Sequence, residues 1–371
     1  MKRAYLDWAA SAPVHPAARA AAIEALEVLG NASSPHAEGR RARDWVERAR
    51  EQVARLCRCS PREVIFTASG SEANALAVIG GSRAVGGRVA VSAIDHPSVL
   101  LAARSLGTEV LTLPCTPEGT IDLERAEAIL AEGAGLVAVQ VANNETGVLQ
   151  PVREIAALAA RAGARLHLDA VQAAGKIDLG FAVERAHTLS LSAHKIGGIA
   201  GAGALVVRRG SEPDPAIPGH QERGLRGGTH ALVAIAAFGA VAEAVERELS
   251  ARRERILRAT KEVERIVREA APDAVINGGG AERVPGIVNV RFPGVDGETL
   301  LLALDLAGVA ASHGAACSTG AMEPSHVLRA MGLDPAEARS CIRFSVGEST
   351  TDEELALLAS ALEPALRSAR L

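Results

Sequence analysis

The sequence predicts an α/β protein: a large domain on a mostly parallel seven-stranded sheet, with a smaller α+β domain. Three observations carry this. Between residues 63 and 208, short apolar runs alternate with helical patterns. Those runs are rich in Val and Leu without clean alternation, as in strands covered on both faces. After Pro272 the order of strand and helix patterns changes. A chain of 371 residues is long enough for a large core and ordinarily for two domains. We expect residues 14–250 to form the large domain, and residues 1–13 with 251–371 the small one.

The expected strands of the large domain are 64–67, 88–92, 109–113, 136–141, 165–168, 188–192 and 204–207. Between them, helices start near Ser71, Pro97, Asp122 and Pro151, where proline suits a first helical turn. An earlier helix is signalled by Trp45, Ala49, Val53 and Leu56 on one stripe among Arg and Glu. A long charged helix follows Ala231 and runs towards Ala270. In the second domain Gly278-Gly279-Gly280 reads as a loop. Residues 287–292, 309–312 and 341–346 read as strands, and 298–306, 324–331 and 352–366 as helices.

Net charge is -4 and the pI about 6.2, without the basic stripe of a nucleic-acid binder. The longest uncharged apolar run, 231–242, is shorter than the roughly 20 residues a membrane span needs. Met1-Lys2-Arg3 leads into no apolar leader, so a cytoplasmic location is expected. Five cysteines, an odd number, suit reduced thiols rather than a disulfide framework. Cys57-x-Cys59 is not a zinc spacing, and no metal site is expected. With aromatics at 2%, the core must come from Val, Ile, Leu and Ala.

Chemistry gathers at a few positions. Of four lysines, Lys195 alone follows a strand and precedes a glycine pair, Gly197-Gly198. Open α/β sheets place their ligands past the carboxyl ends of strands, and lysine forms Schiff bases with aldehydes. Position alone also suits a surface lysine in a turn. Asp169 ends a second strand, where a carboxylate can pair with a cofactor ring nitrogen or cap a turn. Ser69-Gly70-Ser71 lies between a strand and a helix, where small residues let backbone N–H groups approach a phosphate. The run lacks the spacing of a P-loop or a dinucleotide fingerprint. Cys317 sits in a small, polar, glycine-bearing segment from Ser312 to Gly320. It can be an accessible nucleophilic thiol or a bystander.

Together these stretches resemble the cysteine desulfurases of the class V aminotransferase group, in its iron–sulfur-cluster and nitrogenase-assembly branch. The resemblance runs through Tyr5-Leu6-Asp7-Trp8-Ala9-Ala10, Asn31 to His36, Phe66 to Asn74, Asp95-His96 and Asn143 to Gly147. It continues through Asp169-Ala170-Val171-Gln172, Ser192-Ala193-His194-Lys195, Gln221 to Thr229, the Cys317 segment with Glu323 to Arg329, and Ile342-Arg343-Phe344-Ser345.

The resemblance implies the fold of a fold-type I transferase dependent on pyridoxal 5'-phosphate. It implies that Lys195 is the Schiff-base lysine and proton shuttle. Asp169 would hold the pyridine nitrogen and Gln172 the phenolic oxygen, with His96 stacked on the ring. Gly70, Ser71, Ser192 and His194 would form the phosphate site. Thr229 would reach the phosphate of a partner subunit in a homodimer. Asn144 and Arg343 would hold the carboxylate of L-cysteine. Cys317, in the small domain, would take the sulfur as a persulfide and pass it to an acceptor protein. That acceptor would be an iron–sulfur scaffold or a protein of tRNA or cofactor thiolation. Selenocysteine lyase, cystine lyase and aminotransferase activities are the alternatives within the same group, and a non-catalytic scaffold is the alternative outside it. Gly198-Ile199-Ala200-Gly201 departs from the family's usual Gly-Pro-Lys-Gly, and Ser71 replaces a frequent threonine while keeping the hydroxyl.

Overall fold

Residues 3–313 and 323–371 are described in the computed structural model. Seven strands form the main sheet: β1 (Val64–Thr67), β2 (Arg88–Ser92), β3 (Val110–Leu113), β4 (Ala134–Gln140), β5 (Arg165–Asp169), β6 (Thr188–Ser192) and β7 (Gly203–Val207). Their spatial order is β1-β7-β6-β5-β4-β2-β3. All neighbours pair in parallel except β7, which runs against both β1 and β6. The reason is chain length. A parallel crossover needs roughly a dozen residues or more, and the link from β6 to β7 spans only residues 193–202. Nearly every residue of these strands is buried, as strands covered on both faces require.

The expected helices form, with shifted ends. The helix Pro97–Arg104 is capped by His96, and Leu123–Leu130 by Asp122, whose carboxylate accepts Arg125 N–H at 3.1 Å. Pro151 lies one residue before the helix Val152–Arg161, at its cap. In the helix Ala37–Cys57 the stripe facing the core is Ala42, Val46, Ala49, Val53 and Leu56. Trp45 is displaced from the expected stripe to its edge, half-buried, with the Arg48 guanidinium 5.5 Å from its ring. Trp45 and Val46 are equally offset from Ala42 and Ala49, but the buried Val53 and Cys57 extend the core face to the side of Val46.

Two hydrophobic cores are joined by one continuous helix, Leu232–Ala270. Its first half buries Phe238, Val241 and Val245 against the main sheet's core. Its second half buries Val263, Ile266 and Val267 in the second core. That core also holds Ala4 and Leu6, an antiparallel sheet of Val275–Ile276, Ile287–Arg291 and Cys341–Ser345, and the helices Gly297–Leu306 and Asp352–Ala369. Fully burying each Val, Ile or Phe of these cores contributes roughly 1.5–3 kcal/mol. The strand Ala4–Tyr5 pairs in parallel with Val309–Ala310, so the first residues of the chain fold with the last third.

Candidate active site

A cavity of about 460 Å³ opens at the carboxyl ends of the parallel strands, where an open α/β sheet leaves room between diverging loops. Lys195 reaches it from the short turn Ala193–Lys195 that follows β6. Its ammonium donates to the carbonyls of Ala9 and Ala10, at 2.6 and 2.9 Å. Burial and the nearby Arg343 guanidinium lower its pKa to about 8, against the opposing pull of Asp7 and Asp169. An appreciable fraction of this amine is therefore neutral and nucleophilic near neutral pH. Lys176, behind the cavity wall, is lowered further, to about 7, chiefly by burial.

Asp169 closes β5 and is 6% exposed. One carboxylate oxygen accepts the Asn74 amide at 2.7 Å, and the other accepts Val171 N–H at 2.9 Å. Gln172 donates to Ala9 O at 2.9 Å while its own carbonyl accepts Lys176 Nζ at 3.2 Å. The Gln172 amide and the Lys195 amine thus converge on one backbone carbonyl.

His96 caps its helix through Nδ1, which accepts Ser98 N–H at 3.1 Å and lies 2.8 Å from Ser98 Oγ. Burial, then the charge of Lys195 and the neighbouring His326, lower its pKa, while Asp169 opposes them.

Ser69 caps the helix Gly70–Ala75, its hydroxyl accepting Glu72 N–H at 3.1 Å. A Cβ on Gly203 of β7 would fall 2.4 Å from the Ser69 carbonyl carbon. A Cβ on Gly70 would meet Val171 at 2.9 Å and Ser192 at 3.1 Å. Both glycines are what let this turn lie flat against the sheet beside Ser71, Ser192 and His194. Burial and Lys195 lower the His194 pKa to about 4, so its imidazole is neutral.

Arg343 enters from the second core, on the strand Cys341–Ser345. It donates to Asp7 at 2.8 Å and to the Asn144 carbonyl at 2.9 Å. Its Nε, and Asn144 Oδ1, are buried without a hydrogen-bond partner among the described residues.

Ten residues singled out in the sequence, Gly70, Ser71, His96, Asn144, Asp169, Gln172, Ser192, His194, Lys195 and Arg343, line this one cavity. Thr229 does not: it is exposed and outside the lining. Cys317 lies outside the described residues. Sequence reasoning gave no role to Asp7, Asn74, Ser98, Glu145 and His326, which also line the cavity. Asp7 had a signal, since a lone carboxylate stands in an apolar run. Asn74 had none beyond its place one turn into a helix that opens at the phosphate-like turn.

The aminotransferase class-V family model matches residues 4–358. The chain is 37% identical over 364 residues to a cysteine desulfurase of Gluconacetobacter diazotrophicus, covering 96% of this chain and 91% of the relative. It is 40% identical over 366 residues to the cysteine desulfurase IscS of an Anaeromyxobacter strain, covering 95% and 89%. Among solved structures, a NifS-like protein from Rickettsia africae superposes with a TM-score of 0.90 at 29% identity, covering 98% of this chain and 99% of that one.

Proposed function

From the premise that this chain belongs to the class-V aminotransferase family, we propose how its residues perform the reaction of a cysteine desulfurase, the activity its relatives share. The observation that carries the reading is the convergence of an amine lowered to about 8, a buried carboxylate and a buried guanidinium on one cavity. The donor set fits pyridoxal phosphate. Lys195 would hold its aldehyde, Asp169 its ring nitrogen and Gln172 its phenolic oxygen. Gly70, Ser71, Ser192 and His194 would take its phosphate in the flat turn that Gly70 and Gly203 permit. When bound, the cofactor supplies an electron sink for the α-carbon of an amino acid.

The chain's own residues do the rest. Arg343 and Asn144 receive the L-cysteine carboxylate through their N–H groups; the unpaired Arg343 Nε supports this, because a buried donor lacking a partner is costly until a ligand meets it. The neutral Lys195 amine removes the α-proton. His96, neutral because its cation is disfavoured, would lie against the cofactor ring and exchange protons. Cys317 attacks the substrate sulfur as a thiolate. A sulfur–sulfur bond forms, the carbon–sulfur bond breaks with its electrons passing to the β-carbon, and a proton there, followed by return of a proton from Lys195 to the α-carbon, completes alanine. The persulfide then passes to an acceptor protein of iron–sulfur assembly or of tRNA or cofactor thiolation.

We read the chain as a cytoplasmic homodimer. The exposure of Thr229 supports a role across a subunit boundary. Two separate hydrophobic cores support the division into residues 14–250, and 1–13 with 251–371, with the boundary inside one long helix. Among the described residues no helix is long and apolar enough to cross a membrane.

The test is product analysis. Purified protein with L-cysteine should yield alanine and protein-bound sulfane sulfur. Cys317→Ser should keep the cofactor's visible band and lose sulfur transfer. Unchanged transfer in that variant removes Cys317 from the mechanism, and pyruvate from cystine instead of alanine from cysteine makes the protein a lyase.

A further inference from the structure

Asn74 is 1% exposed and uses its full hydrogen-bonding capacity. It projects from the helix Gly70–Ala75, just before a π-helical turn, Leu76–Gly80. Such turns widen a helix locally and recur at functional sites.

Donor and acceptor bookkeeping fixes the orientation of its amide. The atom 2.7 Å from the Asp169 carboxylate must be the nitrogen, because a carboxylate only accepts. The same NH2 reaches Ser98 Oγ at 2.9 Å. The amide oxygen therefore faces His167 Nε2 at 3.0 Å and Ser190 Oγ at 2.5 Å, and both must donate. Ser98, accepting from Asn74, has its single hydroxyl proton free for His96 Nδ1, 2.8 Å away. The Ser98 backbone N–H reaches the same nitrogen at 3.1 Å. A neutral His96 then carries its proton on Nε2. His167 shares a face of β5 with Asp169, two residues on, and is fully buried.

We propose that Asn74 is a positioning residue that couples two cofactor-facing groups, holding the Asp169 carboxylate directly and the His96 imidazole through Ser98. One side chain thereby sets both the partner of the ring nitrogen and the ring stacked above it. This inference rests on the cofactor reading given above. It separates Asn74, whose loss disturbs both groups, from Ser98, whose loss disturbs His96 alone.

The experiment compares full-length wild type, Asn74→Ala, Asn74→Asp, Ser98→Ala and the Asn74→Ala/Ser98→Ala double variant. Losing an outer hydrogen-bond partner of a functional group commonly costs about 10–100-fold, and turnover of Asn74→Ala should fall by that order. Its dissociation constant for pyridoxal phosphate should rise at least about tenfold, and the pH midpoint of the bound cofactor's visible band should move. Ser98→Ala should lower turnover while changing cofactor affinity and the band midpoint less than Asn74→Ala does, because the Asp169 carboxylate keeps its Asn74 partner. The double variant should be no worse than Asn74→Ala, because the two residues act in series.

Should Asn74→Ala not fold, Asn74→Asp keeps the shape, loses the donors and should show the same weakened affinity. Asn74 variants with lowered melting temperature but unaltered affinity and band midpoint overturn the proposal, as do effects of Asn74 and Ser98 that multiply independently. A second readout needs no cofactor. In full chain labelled with 15N-histidine, a hydrogen-bonded His167 Nε2 proton should be visible in wild type and Ser98→Ala and lost in Asn74→Ala. Its survival in Asn74→Ala overturns the coupling. A wild type that shows this proton yet takes up no cofactor sinks the cofactor reading and leaves the hydrogen-bond assignment standing.

Discussion

Asp169 and Glu222 are two carboxylates hidden equally from solvent, each 6% exposed, but they are satisfied in opposite ways. Glu222 accepts four hydrogen bonds. Two come from the Arg50 guanidinium at 2.7 and 2.8 Å, one from Phe66 N–H at 2.7 Å, and one lies at 2.7 Å to His230 Nε2. Burial works to raise its pKa, yet the bonds from Arg50 and His230 win and hold it at about 2. Asp169 accepts from one neutral amide and one backbone N–H, with its remaining lone pairs open to the cavity. The saturated carboxylate is a fastener. It anchors a segment whose backbone is strained, with Glu222 and Arg223 at φ of 46° and 57°. The undersupplied one is available to a ligand. Burial alone does not mark a functional carboxylate; incomplete satisfaction inside a cavity does.

Substitutions can break this contrast. The largest expected effect is at the fastener. Glu222→Gln leaves the Arg50 charge with only the exposed Glu47 carboxylate as partner and should cost about 3 kcal/mol of stability, the low end for a broken buried pair, read as a lowered denaturant midpoint, while the folded fraction still takes up cofactor. Asp169→Asn should do the reverse. Losing one hydrogen bond costs about 1 kcal/mol of stability. Losing the charge proposed to face the cofactor's ring nitrogen should lower turnover about 10²–10³-fold, or roughly 2.7–4 kcal/mol in the barrier. If the two substitutions cost the same in stability and in turnover, the distinction fails.

Smaller effects sharpen it by pH. With Lys195 in its proposed role, cofactor uptake would require the neutral amine, so its rate should climb as pH rises through about 8, well below the ordinary lysine range. A rate independent of pH between 7 and 9 would contradict the lowered pKa. The smallest effect is at His167. Burial lowers its pKa from 6.5 to about 4. Between those values the unfolded chain binds the proton and the folded chain does not, so this residue's contribution to stability is full above pH 6.5 and is lost as pH falls towards 4. His167→Gln should flatten that part of the stability–pH curve.

The comparison also explains what could be read in advance. The seven main strands were legible because burial on both faces leaves continuous apolar runs, and their ends moved by two residues at most between expectation and structure. Lys195 and Asp169 were legible because Asp169 closes such a run and Lys195 follows another in the next turn. The reversal of β7 was not marked by any residue type; it follows from the short link after β6. The pairing of Ala4–Tyr5 with Val309–Ala310 joins segments too far apart in sequence for local pattern to register. Trp45 misled because it fits the helical period with Ala42 and Ala49 as well as Val46 does, and only the burial of Cys57 shows to which side the core face extends. The Asn74 network was invisible for a related reason. Asn74, Ser98, His167 and Asp169 come from three separate segments, and only the packed sheet brings their hydrogen bonds together. Thr229 is exposed and outside the cavity, so its proposed role would need a second subunit.

The most direct test of the central claim is borohydride reduction of the protein with pyridoxal phosphate, followed by peptide mass spectrometry. The cofactor's mass should appear on the peptide containing Lys195, and Lys195→Ala should abolish both the label and the visible band. A label on Lys176 or Lys261 instead, or no label on wild type saturated with the cofactor, would contradict the account.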